Sequence, residues 1–212
     1  MNRKESTTMN SSEPNFYVPK ETPETTSDKI KSVRKKSLAE VTVRDITMIG
    51  VMVAVIEVCK VTMASLPNIE LTTFWIIMFT LFLGKKSVFA VPVFILIEGT
   101  IWGFGLWWVM YLYIWPMLAL LAWIFQKQDN VWFWSILSSL FGLAFGFLSS
   151  FPYFFIGLSN GGITGGLSGM FSYWIAGIPF DITHGVSNFV LMLVLYKPVR
   201  NIMKKAKNLL LG

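Results

Sequence analysis

Cysteine and histidine each occur once in the 212 residues, and charged residues make up only 14% of the chain, against roughly 25% in soluble domains. The lone Cys59 excludes an intrachain disulfide and a cysteine-built metal site. The lone His184 excludes an HExxH zinc motif. Acidic residues are also sparse: beyond residue 45 the chain has only Glu57, Glu70, Glu98, Asp129 and Asp181. Such depletion excludes a soluble globule and, outside the N-terminal region, a disordered chain. The formal net charge is +6, but the bases stand at the ends of apolar runs, which is the pattern that orients membrane segments and not a nucleic-acid footprint.

What is abundant is apolar surface. Hydrophobic residues make up 54% of the chain, with 18 Phe and 9 Trp. Residues 1–37 are rich in Ser, Thr, Glu, Lys and Pro and have too little apolar surface to offset the entropy of ordering, so they read as a disordered cytoplasmic tail. Six apolar segments follow, at about Val43–Leu66, Leu71–Gly84, Ser87–Gly103, Leu106–Phe125, Val131–Ile156 and Phe171–Tyr196, judged against the roughly 20 residues a helix needs to cross a bilayer. The chain therefore reads as an all-α integral membrane protein: a six-helix domain over 38–200 with a basic cytoplasmic segment over 201–212.

Charge at the connections sets the orientation. Arg44 and the bases before it, Lys85 with Lys86, Lys127, and the group from Lys197 to Lys207 all fall on one side if there are six crossings. The other three connections, around Pro67–Glu70, Gly103–Gly105 and Gly157–Met170, contain no Lys or Arg. By the positive-inside bias both termini are cytoplasmic. Omitting the short second segment would put Lys85, Lys86 and the basic C-terminus outside. Trp75, Trp107, Trp108, Trp123, Trp132 and Trp134, near segment ends, suit interfacial anchors.

Glu57, Lys60, Glu98, Asp181 and His184 lie within the apolar segments. A charge at such depth costs on the order of 2.5–3.5 kcal/mol by insertion scales, so each needs a partner or a wet cavity. At about 1.5 Å per residue, Lys60 is roughly 10 Å and Glu57 roughly 15 Å below the outer end of the first segment. With Glu98 and Asp181 in the same outer half, the buried polarity converges on the outside, as a pocket open to the exterior requires. Two readings stay open. Glu57 and Lys60, three apart on one helix, can neutralise each other. Asp181, His184 and Asn188, following Pro179, fit either a ligand site or ordinary helix-start and core positions. The glycines at 161, 162, 165, 166 and 169 read as a mobile outer connection, either a lid over the polar cluster or a plain linker.

Gly84-Lys85-Lys86-Ser87 has the end of a phosphate loop without its first glycine, so ATP binding is not supported. Gly166-Leu167-Ser168-Gly169 matches the GxSG pattern of rhomboid-type intramembrane serine proteases, with His184 as the only available base. An ion-coupled carrier using Glu98 and Asp181 is a further alternative.

Over residues 42–200 the chain resembles the substrate-binding S components of energy-coupling factor (ECF) vitamin importers of bacteria. The resemblance rests on Leu66-Pro67-Asn68-Ile69-Glu70-Leu71, Gly84-Lys85-Lys86, Glu98-Gly99 with Gly103-Phe104-Gly105-Leu106-Trp107-Trp108, and Gly177-Ile178-Pro179-Phe180-Asp181 leading to His184 and Asn188. It implies a multi-pass subunit of the bacterial plasma membrane with no ATPase and no cofactor or metal of its own. Such a subunit docks on a transmembrane coupling subunit carried by two cytoplasmic ATPases. It implies docking through small residues on the first helix, here Gly50 and Ala54, with Val58 departing from the pattern. The expected vitamin site comprises Glu57, Lys60, Glu98, Trp107, Trp108, Tyr111, Asp181, His184 and Asn188. The outer aromatics, Trp75, Trp102, Tyr113 and Trp174 among them, suit a stacked ligand such as cobalamin, a flavin or a pyrimidine precursor, with cobalamin favoured by the long glycine-rich connection.

Overall fold

The computed structural model describes residues 42–211, so the expected tail over 1–37 lies outside the described residues. Within them the chain is entirely helical, without a strand. Helix α1 spans Val43–Met63, α2 Thr72–Leu83, α3 Ser87–Trp102, α4 Leu106–Ile124, α5 Val131–Ser149 and α6 Phe151–Leu211, with a 3-10 turn at Gly84–Lys86 between α2 and α3. Three helical stretches are long and apolar enough to cross a membrane: Val43–Met63, Leu106–Ile124 and Val131–Ala206, the last folding back on itself. The outward faces carry the apolar side chains a lipid-facing protein needs, among them Val51, Leu96, Leu112, Leu140 and Val190.

The helix limits have local causes. Thr42 and Asp45 form a reciprocal capping box at the start of α1, and Asn130 caps α5 by accepting from the Trp132 N–H. Gly84 and Gly103, at φ +59° and +89°, end α2 and α3 in a conformation that a side chain would strain. α2 has only twelve residues, about 18 Å of rise, and is apolar all round, as a helix enclosed by others must be. Its Phe74, Ile76, Ile77, Met78 and Phe79 are buried, and it packs against α1, α3, α4 and α6.

The region from 157 to 170 corrects the expectation of a loose glycine-rich connection. Helix continues to residue 160, turns at Gly161 and Gly162, where Gly162 has φ +62°, and resumes at once. The remaining glycines are contact points between two antiparallel helical arms. A Cβ on Gly157 would run into the Gly165 backbone, one on Gly166 into Phe154, and one on Gly169 into the Tyr153 carbonyl. Close backbone approach through small residues is the usual basis of helix association in lipid, where van der Waals packing replaces the hydrophobic drive. Tyr153 and Tyr173 stack across the same hairpin with centroids 4.0 Å apart. Gly157→Val forces the two arms apart and is expected to cost about 1–3 kcal/mol, the usual range for overpacking. Gly50→Ala, where a Cβ meets nothing within 4 Å, should leave the detergent melting temperature unchanged, and a thermal-shift comparison of the two variants checks both outcomes.

Candidate functional site

α1 and α3 pack side by side, so Lys60 and Glu98 face each other near one end of the bundle. The Lys60 ammonium donates to Glu98 Oε2 at 2.5 Å, with the Glu98 side chain only 1% exposed. The ammonium also lies 5.3 Å from the Tyr111 ring centroid and 5.8 Å from that of Phe94, within cation–π range. Lys60 therefore pairs across helices. Glu57, one turn away on its own helix, keeps both carboxyl oxygens buried without a hydrogen-bond partner.

This pair forms part of the floor of a cavity of about 410 Å³. Trp107 and Tyr111, one turn apart on α4, supply an aromatic wall in which the two rings meet edge to face at 5.2 Å. Phe145 from α5 stands opposite, edge-on to the His184 ring at 5.0 Å. Trp102, at the end of α3, and the connection from Leu66 to Glu70 form the rim. The rim is held from two sides. Asn68 turns with φ +59°, and its carbonyl accepts from the Ser187 hydroxyl at 3.1 Å. Glu70 accepts from Thr72 at 3.0 Å and presents its other oxygen to His184 Nε2 at 3.6 Å, beyond a direct hydrogen bond. Glu98 Oε1 and His184 Nε2 are buried with no partner.

Five of the nine residues expected at the site line this cavity: Lys60, Glu98, Trp107, Tyr111 and His184. Glu57 stands beside Glu98, behind the lining. The other three serve packing. The Trp108 indole donates to the Ile95 carbonyl at 2.8 Å, with its ring against Phe104 over the bare Cα of Gly99. Asp181 accepts from the Gly146 N–H at 2.8 Å, where only glycine leaves room for the carboxylate. Asn188 and Ser138 each donate to the other's carbonyl at 3.3 Å. Asp181 and Asn188 thus join α5 to α6, with Asp181 Oδ2 left unpartnered. Glu70, Asn68 and Phe145 were not foreseen. Glu70 is the only ionisable residue in its connection, and that isolation was the available signal.

The bases gather at the opposite end of the bundle. Lys86 holds Asp45 at 2.6 and 2.7 Å, and Arg200 and Lys204 converge on Asp129 at 2.6 and 3.4 Å. Partial desolvation raises the Asp129 carboxyl, but Arg200 and Lys204 outweigh it and hold the group below its ordinary value. Gly50 and Ala54 sit one turn apart on the exposed side of α1, followed by Val58, also exposed. Ser168 and His184 are on one unbroken helical arm, sixteen residues apart, about 24 Å of rise, so the serine has no imidazole within the roughly 3 Å that nucleophilic catalysis requires. No residue of the glycine hairpin lines the cavity.

No family model, curated protein or solved structure matches the chain, so the functional argument rests on this geometry. The pair at its centre has a measurable signature. Lys60→Met leaves Glu98 buried and unpaired and should destabilise the protein by about 3–5 kcal/mol, whereas Lys60→Met combined with Glu98→Gln should cost clearly less than the sum of the single changes. Thermal unfolding of the four proteins in one detergent measures the difference, and simple additivity would mean that the two groups do not interact.

Proposed function

We propose that this protein is the substrate-binding and translocation subunit of an ECF-type importer in the bacterial plasma membrane, crossing the bilayer six times with both termini in the cytoplasm. The observation that carries the reading is the cavity: Lys60, Glu98, Glu70 and His184 meet Trp107 and Tyr111 in a hollow of about 410 Å³ at the end remote from Lys86, Arg200 and Lys204. By the positive-inside bias the basic end is cytoplasmic and the hollow opens outward. Its size lies in the roughly 300–1,000 Å³ range of small-molecule sites. That favours a ligand of flavin or pyrimidine dimensions over a corrinoid, and with the glycine hairpin away from the lining, the argument for a large ligand loses its basis.

A six-helix chain with no phosphate loop has no energy source of its own, which fits a recognition subunit driven by partners. On this reading the partners are a transmembrane coupling subunit and two cytoplasmic ATPases. The exposed side of α1, where Gly50 and Ala54 leave the backbone accessible, suits close helix approach within lipid. The ion-coupled alternative needs Glu98 and Asp181 in one pathway, but Glu98 is engaged by Lys60 and Asp181 by the Gly146 N–H.

Replacing Gly50 and Ala54 together by Leu should abolish ATP-dependent uptake in proteoliposomes containing the coupling module while leaving ligand affinity in detergent unchanged. Uptake sustained by an ion gradient without the ATPases would refute the assignment.

A further inference from the structure

The cavity is described by its shape and its pair, but its charge balance is uneven. Glu70 and Glu98 line the cavity with one ammonium, that of Lys60, which Glu98 already engages, and Glu57 stands beside Glu98. Carboxylates accept and do not donate. Glu98 and His184 line the cavity, and Glu98 Oε1 and His184 Nε2 are buried without a partner in the protein. Buried polar atoms are almost always satisfied, and unsatisfied ones in a concave site call for an occupant. Here the occupant must bring donors.

Building on the proposed function, we infer that the ligand is a planar nitrogen heterocycle that is positively charged and carries exocyclic N–H donors, of the aminopyrimidine type. Its amino group bonds to Glu98 Oε1 at the floor, its ring lies against Trp107 and Tyr111, and its charge is balanced by the carboxylate excess completed by Glu70 at the rim. Aromatic walls with acidic groups behind them favour an organic cation both electrostatically and by stacking. Other ligand classes fit the same atoms less well. An anionic vitamin would bring a fourth carboxylate toward one lysine already engaged by Glu98. A neutral flavin would fill the walls yet leave the cavity's charge unbalanced. A bare metal ion lacks its ligands, since among the described residues no three His, Cys, Asp or Glu side chains converge to hold one.

The test uses the full chain purified in detergent, with tryptophan fluorescence as readout and three probes: thiamine, an aminopyrimidine cation; riboflavin, neutral; and biotin, an anion. Saturable quenching by thiamine alone, lost in Trp107→Ala and weakened about tenfold by Glu98→Gln, as expected for a hydrogen bond to a charged group, supports the inference. Glu70→Gln gives a second arm free of the Lys60 pair, in case Glu98→Gln fails to fold, and should weaken thiamine several-fold. Tighter binding of riboflavin or biotin, again lost in Trp107→Ala, overturns the cation while leaving the pocket as the substrate site. Thiamine binding indifferent to both carboxylate changes overturns the cation as well. Absence of saturable binding by all three probes overturns the inference, whereas the proposed function stands or falls on the uptake test of the Gly50 and Ala54 variant.

Discussion

A buried carboxylate and the partly exposed ammonium that meets it between two apolar helices constrain the structure more than any other contact. Separately, either charge would be intolerable at that depth, and together they repay desolvation only if the helices hold them at hydrogen-bond distance. Lys60 and Glu98 therefore fix how α1 lies against α3. That placement sets the position of the Leu66–Glu70 connection, which brings Glu70 toward His184 on α6. The cavity is what remains when these constraints are met and the Trp107 and Tyr111 rings fill one side.

The same cost explains the distribution of the other polar groups. Asp181 and Asn188 are buried and bonded to backbone across the α5–α6 seam, Asp181 through Oδ1 alone, so they join helices. Buried polar atoms without a partner occur at the cavity, on Glu98 and His184, and also away from it, on Thr73, Ser149 and Asp181.

Much of the helical layout was legible from the sequence, because long apolar runs interrupted by Pro67, Gly84 and Gly103 admit few other readings. Insertion cost alone drew attention to Lys60, Glu98 and His184. It could not separate them from Asp181 and Asn188, since a carboxylate facing a backbone N–H and one facing a ligand have identical sequence signatures. The glycines of the hairpin were misread for a related reason: a flexible loop and a tight helix crossing ask for the same residue, and only the spacing of contacts between Gly157, Gly165 and Gly169 distinguishes them. Glu70 escaped because it lies outside the apolar segments, where a charge is cheap.

The shortness of α2 has its own effect on where the hollow lies. Twelve residues give a central rod of about 18 Å, little more than half the thickness of a hydrocarbon layer of roughly 30 Å. The depth that α2 leaves is taken up at one end by the Leu66–Glu70 connection and the cavity it lines.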